Sequence, residues 1–82
     1  MKGLLILKCN DPMRWYSHLV GTIVDFLAEE EIEYKSLEPA GYVNFVLKED
    51  AKVVDICYAC GTHLKRPFEI EKELCYSCYK PN

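Results

Sequence analysis

Met13-Arg14-Trp15-Tyr16-Ser17-His18-Leu19-Val20-Gly21-Thr22-Ile23-Val24-Asp25-Phe26-Leu27-Ala28-Glu29-Glu30-Glu31 is the stretch on which the fold class turns. Tyr16, Leu19, Val20, Ile23, Val24 and Leu27 recur at helical spacing, with His18, Thr22, Asp25 and Glu29 on the opposite face. That pattern describes an amphipathic helix. Gly21 stands in its middle and is followed by Thr22-Ile23-Val24, all of which lower helix propensity. The competing reading places a loop at 10–18, a turn at Val20-Gly21 and a strand from Thr22 to Ala28. A helix makes the chain α+β, a βαββ layer with the 13–31 helix over the sheet. A strand makes it mainly β.

The flanking segments read as strands. Gly3-Leu4-Leu5-Ile6-Leu7-Lys8-Cys9 is a short apolar run closed by Asn10-Asp11-Pro12, which carries turn chemistry. Glu33 to Leu37 forms a strand stopped at Glu38-Pro39-Ala40-Gly41, where Pro39 and Gly41 mark a turn. Tyr42-Val43-Asn44-Phe45-Val46-Leu47 is rich in aromatic and β-branched residues and is the clearest strand. Lys48-Glu49-Asp50 is a polar turn, and Ala51 to Ile56 is the last strand before the cysteines.

The most specific chemistry follows. Cys57-Tyr58-Ala59-Cys60-Gly61 and Cys75-Tyr76-Ser77-Cys78 are two Cys-x-x-Cys pairs with fourteen residues between Cys60 and Cys75. Two residues between cysteines let a tight turn bring both sulfurs onto one ion, and Gly61 supplies the backbone freedom such turns use. Two such turns complete a tetrahedral four-thiolate shell with no open position, the structural type of zinc site. Iron is also suited to four thiolates, though Tyr79 after the second pair fits an iron site of the rubredoxin kind less well. The intervening residues are expected to form a hairpin: Thr62-His63-Leu64 leads out, Arg66-Pro67 bends, and Phe68-Glu69-Ile70-Glu71 returns with strand alternation. His63 is expected at the surface rather than as a ligand, and Cys9 as a small buried side chain. The arrangement over 57–78 resembles a zinc ribbon.

Composition bounds the rest. A chain of 82 residues is marginal on hydrophobic burial alone, and a metal commonly makes up the difference at this size. The first apolar run is too short for a signal sequence or a membrane span. The five cysteines are therefore expected as reduced thiols in a cytoplasm, not as an extracellular disulfide framework. The net charge is −3, with six Lys/Arg against ten Asp/Glu in residues 1–56 and four against three in 57–82. The first part lacks the basic face of a nucleic-acid binder, and the second has it weakly.

A family resemblance covers the first half of the chain. Residues 9–54 carry Cys9-Asn10-Asp11-Pro12-Met13-Arg14-Trp15-Tyr16, then Leu19-Val20-Gly21, then Glu38 through Ala51 with Gly41-Tyr42-Val43-Asn44-Phe45-Val46 at its centre. This resembles a group of small phage and prophage proteins with a Trp-Tyr…Gly-Tyr-x-Asn-Phe-Val…Asp-Ala pattern and an SH3-like barrel. The resemblance implies five short strands, a helical turn at Lys48-Glu49-Asp50, a last strand at Ala51–Asp55 and, against the helical periodicity, a strand at Thr22–Ala28. The organisation expected is thus an SH3-like barrel over 1–56 and a zinc ribbon over 57–82.

No catalytic constellation accompanies these features, so the expected role is binding rather than catalysis. A zinc-stabilised module for a protein partner comes first. The resemblance makes that partner host machinery, such as a polymerase or a defence complex. Trp15, Tyr16, Tyr42, Lys65, Arg66, Tyr76 and Tyr79 are the candidate contact residues. A nucleic-acid-binding ribbon is the alternative, with Lys65, Arg66, Lys72, Lys80 and the tyrosines on a single strand. An iron or redox protein comes third. No membrane contact is expected, and the chain is expected as a monomer or homodimer.

Overall fold

The computed structural model describes residues 1–79. The ambiguous stretch resolves toward strand, in two pieces. After β1 (Lys2–Ile6) and a loop ending in a 3-10 turn at Ser17–Leu19, the chain forms β2 (Ile23–Asp25) and then β3 (Ala28–Glu29). The alternative reading, a helix over 13–31, is absent because the periodic residues do not share an environment. Tyr16 is buried, while Val20 and Leu27 lie exposed. Gly21 also takes a positive φ of 87°, which ends helical geometry between them.

β4 (Glu33–Leu37), β5 (Val43–Leu47), a 3-10 turn at Lys48–Asp50 and β6 (Ala51–Asp55) complete the β part. All pairings are antiparallel, in two three-stranded sheets ordered β2-β1-β6 and β3-β4-β5. The Thr22–Ala28 strand is split because the chain changes sheet there: Asp25 sits opposite Gly3 in the first, and Ala28 opposite Lys35 in the second. The fully buried Ser36 hydroxyl donates to the Asp25 carbonyl at 2.5 Å and holds that corner. Leu4, Ile6, Tyr16, Val46 and Ala51 form the core between the sheets, with Trp15, Val24, Phe26 and Tyr34 packed around them.

The expected barrel is instead an open pair of sheets. No ladder joins the free edge of β5 to another strand among the described residues. Lys35 turns its carbonyl to Leu27 N–H, so Phe45 and Leu47 point their backbone groups away from β4. Side chains meet them. The Trp15 indole N–H donates to the Phe45 carbonyl at 2.8 Å, and the Leu47 N–H donates to the Tyr16 hydroxyl at 3.4 Å. Trp15 and Tyr16 thus occupy the place a neighbouring strand would take, which also shields an edge prone to self-pairing.

The last part of the chain has its own small core of Cys57, Leu64 and Cys75, with Leu74 against it. The hairpin expected between the cysteine pairs is not formed. Its return arm is α1 (Pro67–Lys72), followed by α2 (Tyr76–Tyr79). Pro67 stands at the start of α1, where a missing N–H costs nothing. The outgoing arm keeps one bridge, Ile56 opposite His63.

This metal unit docks on the first sheet through short polar and apolar contacts. Ile56 N–H donates to the Met1 carbonyl at 2.9 Å, and Leu64 N–H to the Asp55 carbonyl at 2.8 Å. The Met1 amino group pairs with Glu73, and Lys2 with Asp55 at 2.6 Å. Gly3 makes the apolar contact possible. A Cβ there would lie 2.8 Å from Ile23 Cγ2 and 3.2 Å from Ile56 Cγ2. The molecule is elongated, with extents of 46 × 24 × 20 Å.

Candidate metal centre

The two Cys-x-x-Cys turns are built by local hydrogen bonds before any ion is considered. In the first, Cys57 N–H donates to the Thr62 carbonyl at 2.8 Å and Gly61 N–H to the Cys57 carbonyl at 2.7 Å. Gly61 takes a φ of 79°, a left-handed conformation that closes the turn and that L side chains rarely adopt. In the second, Cys78 and Tyr79 N–H groups both donate to the Cys75 carbonyl, at 3.0 and 2.9 Å.

These turns bring four sulfurs together. The Sγ atoms of Cys57, Cys60, Cys75 and Cys78 all lie within 4.8 Å of one another, and Cys60 and Cys75 are 3.6 Å apart. A tetrahedral ion with metal–sulfur bonds of about 2.3 Å requires sulfur separations of about 3.8 Å. The cage therefore has the size and donor set for zinc or iron, and all four positions of the shell come from protein. Cys57 and Cys75 are buried, and Cys60 and Cys78 face solvent. His63 is not among the clustered ligands, and it is half-buried, bridged to Ile56, rather than at the surface as expected.

The electrostatics of the metal-free thiols are uneven. At Cys57 burial pushes the thiol up, but the N–H groups of Cys75, Cys60 and Ala59 outweigh it and hold it down at about 6. Cys60 is lowered by the Thr62 hydroxyl, 3.1 Å from its sulfur, and by the Thr62 N–H. Cys78 is pushed up to about 12, because it shares its proton with the sulfurs of Cys75, Cys57 and Cys60. Backbone donors thus favour thiolate at one corner, and hydrogen bonds from the thiol to the neighbouring sulfurs keep a proton at another.

Two supporting residues were not legible as such. Glu69 accepts from Tyr76 N–H at 2.9 Å and from Arg66 N–H at 3.3 Å, so one carboxylate ties the start of α1 to the second cysteine turn. The Tyr76 N–H, and then the Arg66 side, hold this carboxyl below its ordinary range. Phe68 lies edge-on to Tyr76 and tilted against Tyr79, each at 6.4 Å between centroids. Pro67 followed by Glu69 is the sequence signal for a helix start that would have placed both; strand alternation at 68–71 conceals it.

The expected contact residues divide. Tyr16 is fully buried and bonded to Asp50, so it belongs to the core and not to a surface. Trp15 is half-buried against β5. Tyr42 is exposed on the β4–β5 turn, far along the chain from the metal unit. Lys65, Arg66, Tyr76 and Tyr79 are all exposed around the metal cage. Lys80 lies outside the described residues, as do the last positions of the expected ribbon. Cys9 is half-buried beside the β core, with its thiol 3.2 Å from the Asp11 carbonyl, and takes no part in the cage.

Comparison with family models, curated proteins and solved structures returns no match. Among the described residues no helix is long and apolar enough to cross a membrane.

Proposed function

We propose that this protein is a zinc-stabilised module that binds another protein, with the metal unit as its recognising end. The observation that carries the reading is the junction of a closed four-thiolate cage with an exposed aromatic cluster. Phe68, Tyr76 and Tyr79 are 38%, 54% and 43% exposed, and the Phe68 ring packs against each of the two tyrosines that flank Cys78. Cys75 and Cys78 flank Tyr76, so the bound ion fixes the residue that the cluster presents. Zinc in such a shell has no site for substrate, and its work is to hold shape. Aromatic residues with a neighbouring arginine are the commonest anchors of protein interfaces.

The phage resemblance makes host machinery in a bacterial cytoplasm the first place to look for the partner. The test is affinity capture from such a lysate with the wild type and a Phe68→Ala, Tyr76→Ala double variant in parallel. One stoichiometric protein held by the wild type and lost with the variant is the expected result. Equal capture by both would remove the aromatic cluster from the interface.

A nucleic-acid reading is favoured by one feature, the exposed Lys65 and Arg66 that precede Phe68 in the chain. Single strands are bound by that combination of stacking and charge. The net charge of −3 opposes it. Fluorescence anisotropy with a labelled oligonucleotide decides: binding that weakens steeply with salt supports the strand, and a flat titration at low salt dismisses it.

A further inference from the structure

A second surface lies away from the metal unit, at the open corner between the sheets. The register of β2 leaves its outer edge unpaired. Ile6 N–H donates to the Thr22 carbonyl, so Thr22 and Val24 face β1, whereas Ile23 and Asp25 direct their backbone groups outward. The Asp25 carbonyl is taken by Ser36. No backbone partner within the described residues meets the Ile23 N–H, the Ile23 carbonyl or the Asp25 N–H.

That edge borders an open cleft of about 500 Å³. Leu19, Ile23, Val24, Leu37 and Pro39 give it an apolar lining, and among the described residues Asp25 and Glu38 supply its only charges, both negative. The volume is within the usual range of ligand sites, about 300–1,000 Å³. The β5 edge is shielded by Trp15 and Tyr16; β2 meets β4 at its Asp25 end, where Ser36 holds the carbonyl, and opens onto the cleft at Ile23.

We propose that the β2 edge and its cleft receive an extended, lysine- or arginine-bearing peptide segment of a partner protein, which adds as a short strand beside Ile23 and pairs with its free N–H and carbonyl. Strand addition uses the backbone for affinity and alternate side chains for selection. Here one face of the added strand lies on the apolar lining, and its cationic residues meet Asp25 and Glu38. Charge selects this occupant over a second copy of the chain. Two β2 edges brought together would set Asp25 and Glu38 of one molecule against the same carboxylates of the other, and residues 1–56 carry ten acidic against six basic residues. The proposal does not rest on the role given to the metal unit.

The test uses the full zinc-loaded chain and a fluorescein-labelled peptide of alternating lysine and valine, six residues long. Three controls accompany it: the same peptide with glutamate for lysine, one N-methylated on alternate backbone nitrogens, and the Asp25→Asn, Glu38→Gln double variant of the protein. Saturable binding is expected for the basic peptide only, with amide shifts at Ile23 and Asp25. The double variant, folded by its zinc content and melting, is expected to bind about fivefold more weakly, as for two exposed charge pairs. N-methylation is expected to abolish binding, which mere charge attraction would survive. No saturable binding, equal binding by the N-methylated peptide, or shifts confined to Phe68, Tyr76 and Tyr79 would overturn the proposal. So would a sedimenting dimer joined at β2. A failed capture by the metal unit leaves this outcome unaffected, so the two readings fail separately.

Discussion

The Tyr16 hydroxyl donates to Asp50 Oδ2 across 2.6 Å inside the β core, joining the loop after β1 to the turn before β6. Asp50 is only 3% exposed, and no buried side-chain polar atom is left unpartnered among the described residues. Tyr16→Phe keeps the ring and removes the donor, so a carboxylate is left buried. The expected loss is about 1–3 kcal/mol of unfolding free energy at neutral pH. Burial first, and then the bond to Asp50, raise Tyr16 from 10.0 to about 12. The contribution is therefore complete below pH 10 and lost as pH climbs from 10 toward 12. Urea unfolding of both proteins across this range checks it: the gap between them must close above pH 10, and a constant gap would refute the coupling.

Gly3→Ala tests the junction between the β part and the metal unit. The new methyl would lie 2.8 Å from Ile23 Cγ2, and that atom sits on a branched carbon with little freedom to retreat. Overpacking of this kind costs about 1–3 kcal/mol. Because Ile56 lies on the same side at 3.2 Å, the variant is expected to melt earlier with its zinc still bound. Unchanged melting would mean that the two units are not pressed together through Gly3.

These residues also show where sequence reading succeeds and where it stops. The strands at 33–37, 43–47 and 51–55 and the turn at 48–50 were legible because each is decided by its own residues. The clustering of Cys57, Cys60, Cys75 and Cys78 was legible for the same reason, since two residues of spacing suffice to define a turn. The break at Phe26-Leu27 was not, because it is set by Ser36 and Asp25 meeting from different strands. The open β5 edge was hidden likewise: Trp15 and Tyr16 reach it from thirty residues away in sequence. At 68–71 a true local signal, Pro67 before Glu69, competed with a strand-like alternation. The alternation was empty, since Phe68 and Ile70 are both partly exposed.

Glu69→Gln tests the brace between α1 and the second cysteine turn. The neutral amide keeps the shape but weakens the bonds from Tyr76 and Arg66 N–H groups. Partners around a metal site commonly change its affinity by about tenfold or more, and a loss of about that size is expected here. Competition with a chromogenic chelator measures it. The held-down carboxyl places this support above the ordinary carboxylate range, to be lost as pH falls through it. Wild-type affinity in the variant would leave Glu69 with no part in the site.

Cys57→Ser and Cys78→Ser remove ligands from opposite corners of the cage, one buried and one exposed. Each is expected to drop zinc well below one equivalent per chain and to unfold α1 and α2, because the ion supplies folding energy to so small a core. Cys9→Ser serves as the matched control and is expected to keep its zinc. Metal analysis with circular dichroism reads both effects. Full zinc content in either ligand variant would displace that cysteine from the site.

Zinc loading is expected to release fewer than four protons at pH 7.5, because ligand thiols must lose any proton they hold and Cys57 has already lost most of its own. The count follows from the uneven thiols. Cys57, held at about 6, is already mostly thiolate at this pH, and the Thr62 hydroxyl and N–H lower Cys60 from its ordinary value. Cys78, pushed up to about 12, still carries its proton and must give it up. As pH falls below 6 Cys57 takes up its proton, so the number released rises toward four and affinity falls more steeply with acid. Calorimetry in buffers of different ionisation enthalpy gives the count directly. Release of four protons at pH 7.5 would mean that the N–H groups of Cys75, Cys60 and Ala59 do not hold a thiolate at Cys57 before the ion arrives.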